Sequence, residues 1–275
     1  RQVSSAASDV YKRQEERLRS LLEFDLSIFA IAVLLSIGLI AGCLNTLAGG
    51  GSLITLPALM ALGLPADIAN ATNRLGIFAQ SITGAKGFDY YGRLDRAAVL
   101  NLAGPIVSGS IVGALMASYM PVWLLEPILL SAMIGIALLL VLKPEMIGKQ
   151  KESAKLVSKN SFAVFWLFLT GIYGGFVHAG IGFILIAVLA GSFRYDVVRA
   201  NALKVVFTAL FSLVAILIFT LREQIWWIPG LILATGSFLG AVLGVRFTLR
   251  LNEKILKWIL LIMVSCLSLY TVIDQ

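Results

Sequence analysis

Asn45–Met60 reads NTLAGGGSLITLPALM. The apolar residues on both sides would carry a helix straight through, but Gly49, Gly50 and Gly51 stand in line inside it. Each glycine costs a helix roughly 1 kcal/mol relative to alanine. The stretch therefore reads as a helix, a break and a second, shorter helix.

What surrounds the break explains where it lies. Of 275 residues, 59% are hydrophobic and only 13% charged, and the mean hydropathy is +0.92. That is too apolar for a soluble core of this size. Apolar tracts recur at 26–62, 68–85, 97–118, 122–142, 161–191, 197–221, 225–248 and 255–273, several long enough to cross about 30 Å of hydrocarbon as helices. Ten-residue alternating strand patterns are absent, so a barrel is disfavoured. The fold class expected is an all-α integral membrane protein, a polytopic helical bundle, because in lipid the backbone must satisfy its own hydrogen bonds. Residues 26–62 would extend about 55 Å as one helix, too long for one crossing and short of two. A break buried in protein at bilayer depth resolves this.

The net charge of +7 does not point to nucleic acid, since the cations are scattered over loops with no basic, aromatic-interleaved face. Cys43 and Cys266 lie in apolar tracts and read as packing residues, and no metal-spaced cluster exists. No cofactor is implied. GxSxG, HExxH, a phosphate loop and a carboxylate cluster are all missing, so an enzyme is not expected. Residues 1–25 read as a polar tail or in part a foreign scar, and the first fourteen lack the apolar core of a signal peptide.

The break has an echo. Sliding the chain by 129 residues sets Gly42–Phe78 against Gly171–Phe207 without gaps, pairing Gly51 with Gly180, Asp67 with Asp196 and Ala71 with Ala200, and placing His178 opposite Gly49. An offset of 131 pairs Gly109 with Gly240 and Gly113 with Gly244, glycines whose spacing suits helix contact faces. Two homologous halves follow, 26–142 and 161–275, joined by the basic linker 143–160 with five lysines and two glutamates. Counting five segments per half gives inverted repeats, with the loop and linker cations gathered on the cytoplasmic side. Counting each broken pair as one crossing gives eight crossings and a parallel repeat. The first count suits the positive-inside rule better.

Paired glycine breaks at corresponding positions of two halves point to a transporter's substrate site, where half-helix ends face a cavity. A half-helix starting near Gly49, Gly50, Gly51 and Ser52 would aim N–H groups and a positive dipole end at an anion, and Gly180 marks the matching place in HAGIGF. Arg74 and Lys204 lie inside apolar helices, where a charge costs at least about 2.5 kcal/mol near the bilayer centre. They read either as ligand contacts or as snorkelling groups paired with Asp67 or Asp196. Thr72, Asn73 and Asn201, with Asn70, Gln80 and Thr208, supply neutral polar groups for an oxyanion or for helix–helix hydrogen bonds. His178, the sole histidine, suits either proton coupling or a hydrogen-bonded core position. Asp67 and Asp196 are expected as N-caps.

At these residues the chain resembles the TauE/SafE family of sulfite exporters, also called the toluenesulfonate uptake permeases. The resemblance rests on GGGSLITLPALMALGLPADIANATN in the first half and on GGFVHAGIGF with DVVRANALK in the second. It implies a secondary transporter of the bacterial inner membrane for sulfur-containing anions such as sulfite or an organosulfonate, driven by the proton gradient. It also implies an anion-facing loop at Gly49, Gly50, Gly51 and Ser52, and a polar helix start at Thr72 and Asn73. The expected partners are a small anion and the bilayer. The rival readings are an anion channel, a carrier of an unrelated metabolite, and a membrane scaffold that transports nothing.

Overall fold

The computed structural model describes residues 27–47, 49–142, 161–193 and 195–250. The tail 1–25, the linker 143–160 and the apolar tract 255–273 lie outside the described residues. Among those described the chain is helical throughout: α1 Ile28–Leu47, α2 Ser52–Ala61, α3 Ala66–Tyr90, α4 Arg96–Tyr119, α5 Val122–Leu142, α6 Ser161–Phe176, α7 Ile181–Ser192, α8 Val197–Leu221 and α9 Trp227–Arg250. Both expected interruptions are present, between α1 and α2 and between α6 and α7.

Four helices have the length and apolarity to cross a membrane: Ile28–Leu47, Arg96–Tyr119, Val198–Leu221 and Trp227–Thr248. Their outward faces carry Leu39, Leu115, Leu217 and Phe238, the side chains lipid would solvate. Tyr119, Trp123 and Trp227 stand exposed at one end and Tyr90 and Tyr91 at the other, as expected of interfacial belts. The long helix too polar to face lipid is α3, and it is the one packed inside, burying Asn70, Thr72, Asn73, Arg74, Gln80 and Ser81.

Small residues let the helices approach to backbone contact, as they must where lipid removes most of the hydrophobic drive for helix association. A methyl group built on Gly240 or Gly244 would meet the backbone of α1 at Leu39 and Cys43, and one on Gly109 or Gly113 would meet α6 at Phe168 and Ile172. The four-residue glycine spacings are thus helix contact faces. α1 packs on α9 and α4 on α6; α9 also packs on α3, α4 on α8, and α3 on α8.

The contacts also fix direction. Leu35 lies beside Gly236 and Cys43 beside Gly244, while Leu75 meets Gly230 and Gly87 meets Val245, so α1, α3 and α9 run one way. Ile106 beside Gly171 and Gly113 beside Phe176 make α4 and α6 parallel. The starts of α4 and α8 are joined by Tyr195 donating to Asp95 at 3.0 Å, and their ends by Gln224 donating to the Ser118 carbonyl at 3.2 Å. α8 opposes α3, because Gly84 approaches Val205 while Arg74 lies over the Phe219 ring at 5.8 Å. Lys86, Arg93, Arg96, Arg199 and Arg246 consequently share one end of the bundle. Arg222 is at the other, with Asp67, Glu126 and Glu223.

One capping expectation fails. Asp196 does cap α8, accepting from Arg199 N at 2.9 Å, but the N-cap of α3 is Pro65, and Asp67 lies in the first turn without capping it. The proline fixes the backbone of its own position and sets the helix start ahead of the aspartate. Asp95 caps α4 instead, accepting from Ala98 N at 3.0 Å.

Candidate functional site at the two helix breaks

The first break turns on Gly49, whose φ of +102° belongs to the region that glycine enters at little steric penalty. Its N–H closes α1 on the Leu44 carbonyl at 3.4 Å. α2 then opens with tight turns, Leu53 N–H donating to Gly50 O and Ile54 N–H to Gly51 O, each at 3.1 Å. The second break reverses the chain with His178 at φ +64° and Gly180 at φ +68°. Val177 and His178 N–H both close α6 on the Tyr173 carbonyl, and the Tyr173 hydroxyl donates to Ala179 O at 2.7 Å. The alignment of His178 with Gly49 has a backbone meaning: both hold positive φ, a conformation uncommon for non-glycine residues.

Neither break lies at a helix-bundle end. Thr46, near the end of α1, is level with Gly84 of α3, and α3 continues to Tyr90, about 9 Å further at the rise of an α-helix. Phe176, ending α6, is level with Gly113, and α4 likewise continues to Tyr119.

The two breaks touch. A methyl group on Gly182 would overlap Gly49, and one on Gly49 would overlap Gly182. The Ser52 hydroxyl bridges across, donating to His178 O at 3.2 Å and accepting from Gly180 N at 3.4 Å. Gly49, Ser52, His178 and Gly180 are therefore brought together. Gly50 and Gly51 are buried beside them, while no room remains between Gly49 and Gly182 in this conformation.

The buried cations lie against these breaks in a way the sequence did not reveal. Arg74, wholly buried, donates to the carbonyls of Gly174 at 2.6 Å, Gly175 at 2.9 Å and Phe176 at 3.0 Å. Asn70, one turn earlier, donates to Phe176 O at 3.0 Å and accepts from Arg74 at 3.3 Å. Lys204, equally buried, donates to the Asn45 carbonyl, and Asn201 Nδ2 donates to Thr46 O at 2.6 Å. Arg74 on α3 thus closes the C-terminal end of α6, and Lys204 on α8 that of α1, where unpaired carbonyls carry a partial negative charge. Neither snorkelling nor pairing with Asp67 or Asp196 occurs. Among the described residues the ion pairs are Arg96–Asp89 at 2.7 Å and Arg199–Asp196 at 3.5 Å, both exposed, so no carboxylate neutralises either buried cation. His178 Nδ1 shares the Gly174 carbonyl with Arg74, at 3.2 Å.

Thr72 is occupied elsewhere, its hydroxyl accepting from Trp226 N at 3.0 Å. Asn73 is buried with its Oδ1 unpartnered. Sequence reasoning passed over Asn45 and Gly174, whose contribution is a backbone carbonyl and therefore leaves no mark in residue type. It also passed over Ser81 and Ser212, buried and unpartnered, although the offset of 131 that pairs the contact glycines pairs these serines too.

Two interrupted helices meeting inside a helical membrane bundle, each backed by a buried cation, form the architecture of a membrane transporter. Comparison with known proteins places it within that class. Residues 34–271 match the family described as Sulfite exporter TauE/SafE, and the chain belongs to that family. The Probable membrane transporter protein YfcA of Escherichia coli K12 is 29% identical over 258 residues, covering 92% of this chain and 93% of its own. A Probable membrane transporter protein of Haemophilus influenzae is 28% identical, covering 91% and 98%. Probable membrane transporter protein ORF9 of a Sinorhizobium species is 29% identical over 251 residues, covering 91% and 95%. No solved structure matches. The protein is a membrane transporter, not an enzyme.

Proposed function

We propose that the protein is a secondary transporter of the bacterial inner membrane that moves a small anion, a sulfur-containing one such as sulfite or an organosulfonate, by alternating access. The observation that carries this reading is the pair of wholly buried cations with no carboxylate partner. A buried charge left without a counter-charge is strongly unfavourable, and carbonyl dipoles supply only part of one. A small anion would supply the rest, accepting hydrogen bonds in turn along its path from Arg74, Lys204, Asn201 and Asn73 and from groups at Gly49, Gly50, Gly51, Ser52, Thr72, His178 and Gly180 as the breaks separate. With Gly49 against Gly182, the present conformation corresponds to a closed stage of the cycle.

The halves 26–142 and 161–275, joined by 143–160, act as inverted repeats that rock against each other. The opposed directions of α3 and α8 and the reciprocal packing of α1 on α9 and α4 on α6 support this. The end bearing Lys86, Arg93, Arg96, Arg199 and Arg246 then faces the cytoplasm by the positive-inside rule.

Purified protein in liposomes, given an imposed pH gradient, tests the reading. Accumulation of labelled sulfite or sulfoacetate above its equilibrium level is the expected result. Flux that only follows the anion's own gradient would indicate a channel, and no flux of any sulfur anion would overturn the substrate class.

A further inference from the structure

Hydroxyls on membrane helices ordinarily fold back on their own helix, and this chain follows the habit. Thr46 donates to Gly42 O, Thr83 to Ala79 O, Thr170 to Trp166 O, Thr235 to Leu231 O and Thr248 to Gly244 O, at 2.7–2.9 Å. Thr55 on α2, Ser81 on α3 and Thr208 and Ser212 on α8 break it, buried hydroxyls without a partner, the last three on two helices packed together. Leaving such a group unpaired is unfavourable enough that each demands an explanation.

Their position supplies one. On α8, Val205 and Phe219 face α3, and Thr208 and Ser212 fall on the same stripe at three- and four-residue steps. On α3, Arg74 and Gly84 face α8, and Ser81 lies on their stripe. Because the helices are antiparallel with Gly84 beside Val205, the register brings Ser81 level with Thr208, and Ser212 within a turn of them. Ser81 is about 10 Å along the axis from Arg74, and Thr208 about 6 Å from Lys204. The hydroxyls therefore occupy the middle of the seam, with a cation toward each end.

We infer that the seam between α3 and α8 is the anion's central binding place, where Ser81, Thr208 and Ser212 donate hydrogen bonds to an oxyanion held between Arg74 and Lys204. This rests on the anion-transport reading above but moves the contact from the glycine breaks, which close on each other, to the helix pair they flank. The seam holds hydrogen-bond donors and cations and, among the described residues, no acid, which selects an oxyanion over a neutral solute or a metal ion.

Two measurements test it. Thr208→Val and Ser81→Ala remove orphan hydroxyls while keeping most of the packing, so the ligand-free protein should melt at the same temperature or higher. Sulfoacetate should nonetheless bind each variant about tenfold more weakly, read from thermal-shift titration. Affinity equal to that of the parent protein would overturn the seam as the site. Separately, Ser81→Cys in a background without Cys43 and Cys266 should react in membranes with the anionic sulfonatoethyl methanethiosulfonate and be protected by sulfoacetate. Reaction of Ser81→Cys without transport of any sulfur anion would keep an anion-accessible seam while refuting the transport reading. A thiol inert to that reagent in a protein that transports would refute the seam alone.

Discussion

Arg74 donates to the carbonyl oxygen of Gly174 at 2.6 Å, joining α3 to the end of α6. The mirrored bond runs from Lys204 to Asn45. Sequence reading left this cation as either a ligand contact or a snorkelling group; the structure makes it a helix cap, and substitution measures that duty.

Replacing Arg74 by glutamine removes three charged hydrogen bonds, to the carbonyls of Gly174, Gly175 and Phe176, and leaves that of Gly175 without a side-chain donor. Hydrogen bonds to charged groups are worth about 1.5–3 kcal/mol each, so Arg74→Gln should destabilise by at least about 3 kcal/mol in mixed-micelle unfolding. Arg74→Lys keeps the charge but not the fork and should recover only part of that stability. Equal stability of all three proteins would show that the cap carries little weight.

At the contact of the breaks, Gly182→Ala places a methyl group on the backbone of Gly49. Overpacking of this kind costs roughly 1–3 kcal/mol, and Gly49→Ala adds about 1–2 kcal/mol for its positive φ. Both should lower the melting temperature, Gly49→Ala more. Gly191→Ala, inside α7 where the added methyl meets nothing, is the control that should hold or slightly raise it.

His178 holds φ +64°, which asparagine tolerates and a β-branched residue does not. His178→Asn should fold like the parent protein, and His178→Val should be less stable than His178→Asn by about 1–2 kcal/mol. Measured in mixed-micelle unfolding, similar values for the two would remove the backbone as the reason for a special residue here.

The charge partition between the two ends gives an orientation test. In a background without Cys43 and Cys266, Arg93→Cys should react with an impermeant maleimide only from the cytoplasmic side, and Glu223→Cys only from the outside. Labelling of both from the same side would contradict the helix directions.

Much of this protein was legible in its residues. Low charge and long apolar tracts demand a membrane bundle, because lipid accepts no unpaired backbone. Gly49–Gly51 and HAGIGF announce the interruptions, because no other residue so readily enters the conformations a break requires. The contact glycines were legible for a related reason: a missing side chain at helical spacing has few uses besides close approach.

What the sequence left open was the partner of every buried polar group. Arg74 and Lys204 look like stranded charges in a linear reading, and their acceptors, the carbonyls of Gly174–Phe176 and of Asn45, belong to the backbone, which is the same at every position and so encodes nothing. Only tertiary packing brings helix ends to the cations and sets Ser52 between His178 and Gly180. Residue type fixed which elements form and where they break; antiparallel packing of α3 on α8 decided what those breaks, charges and hydroxyls meet.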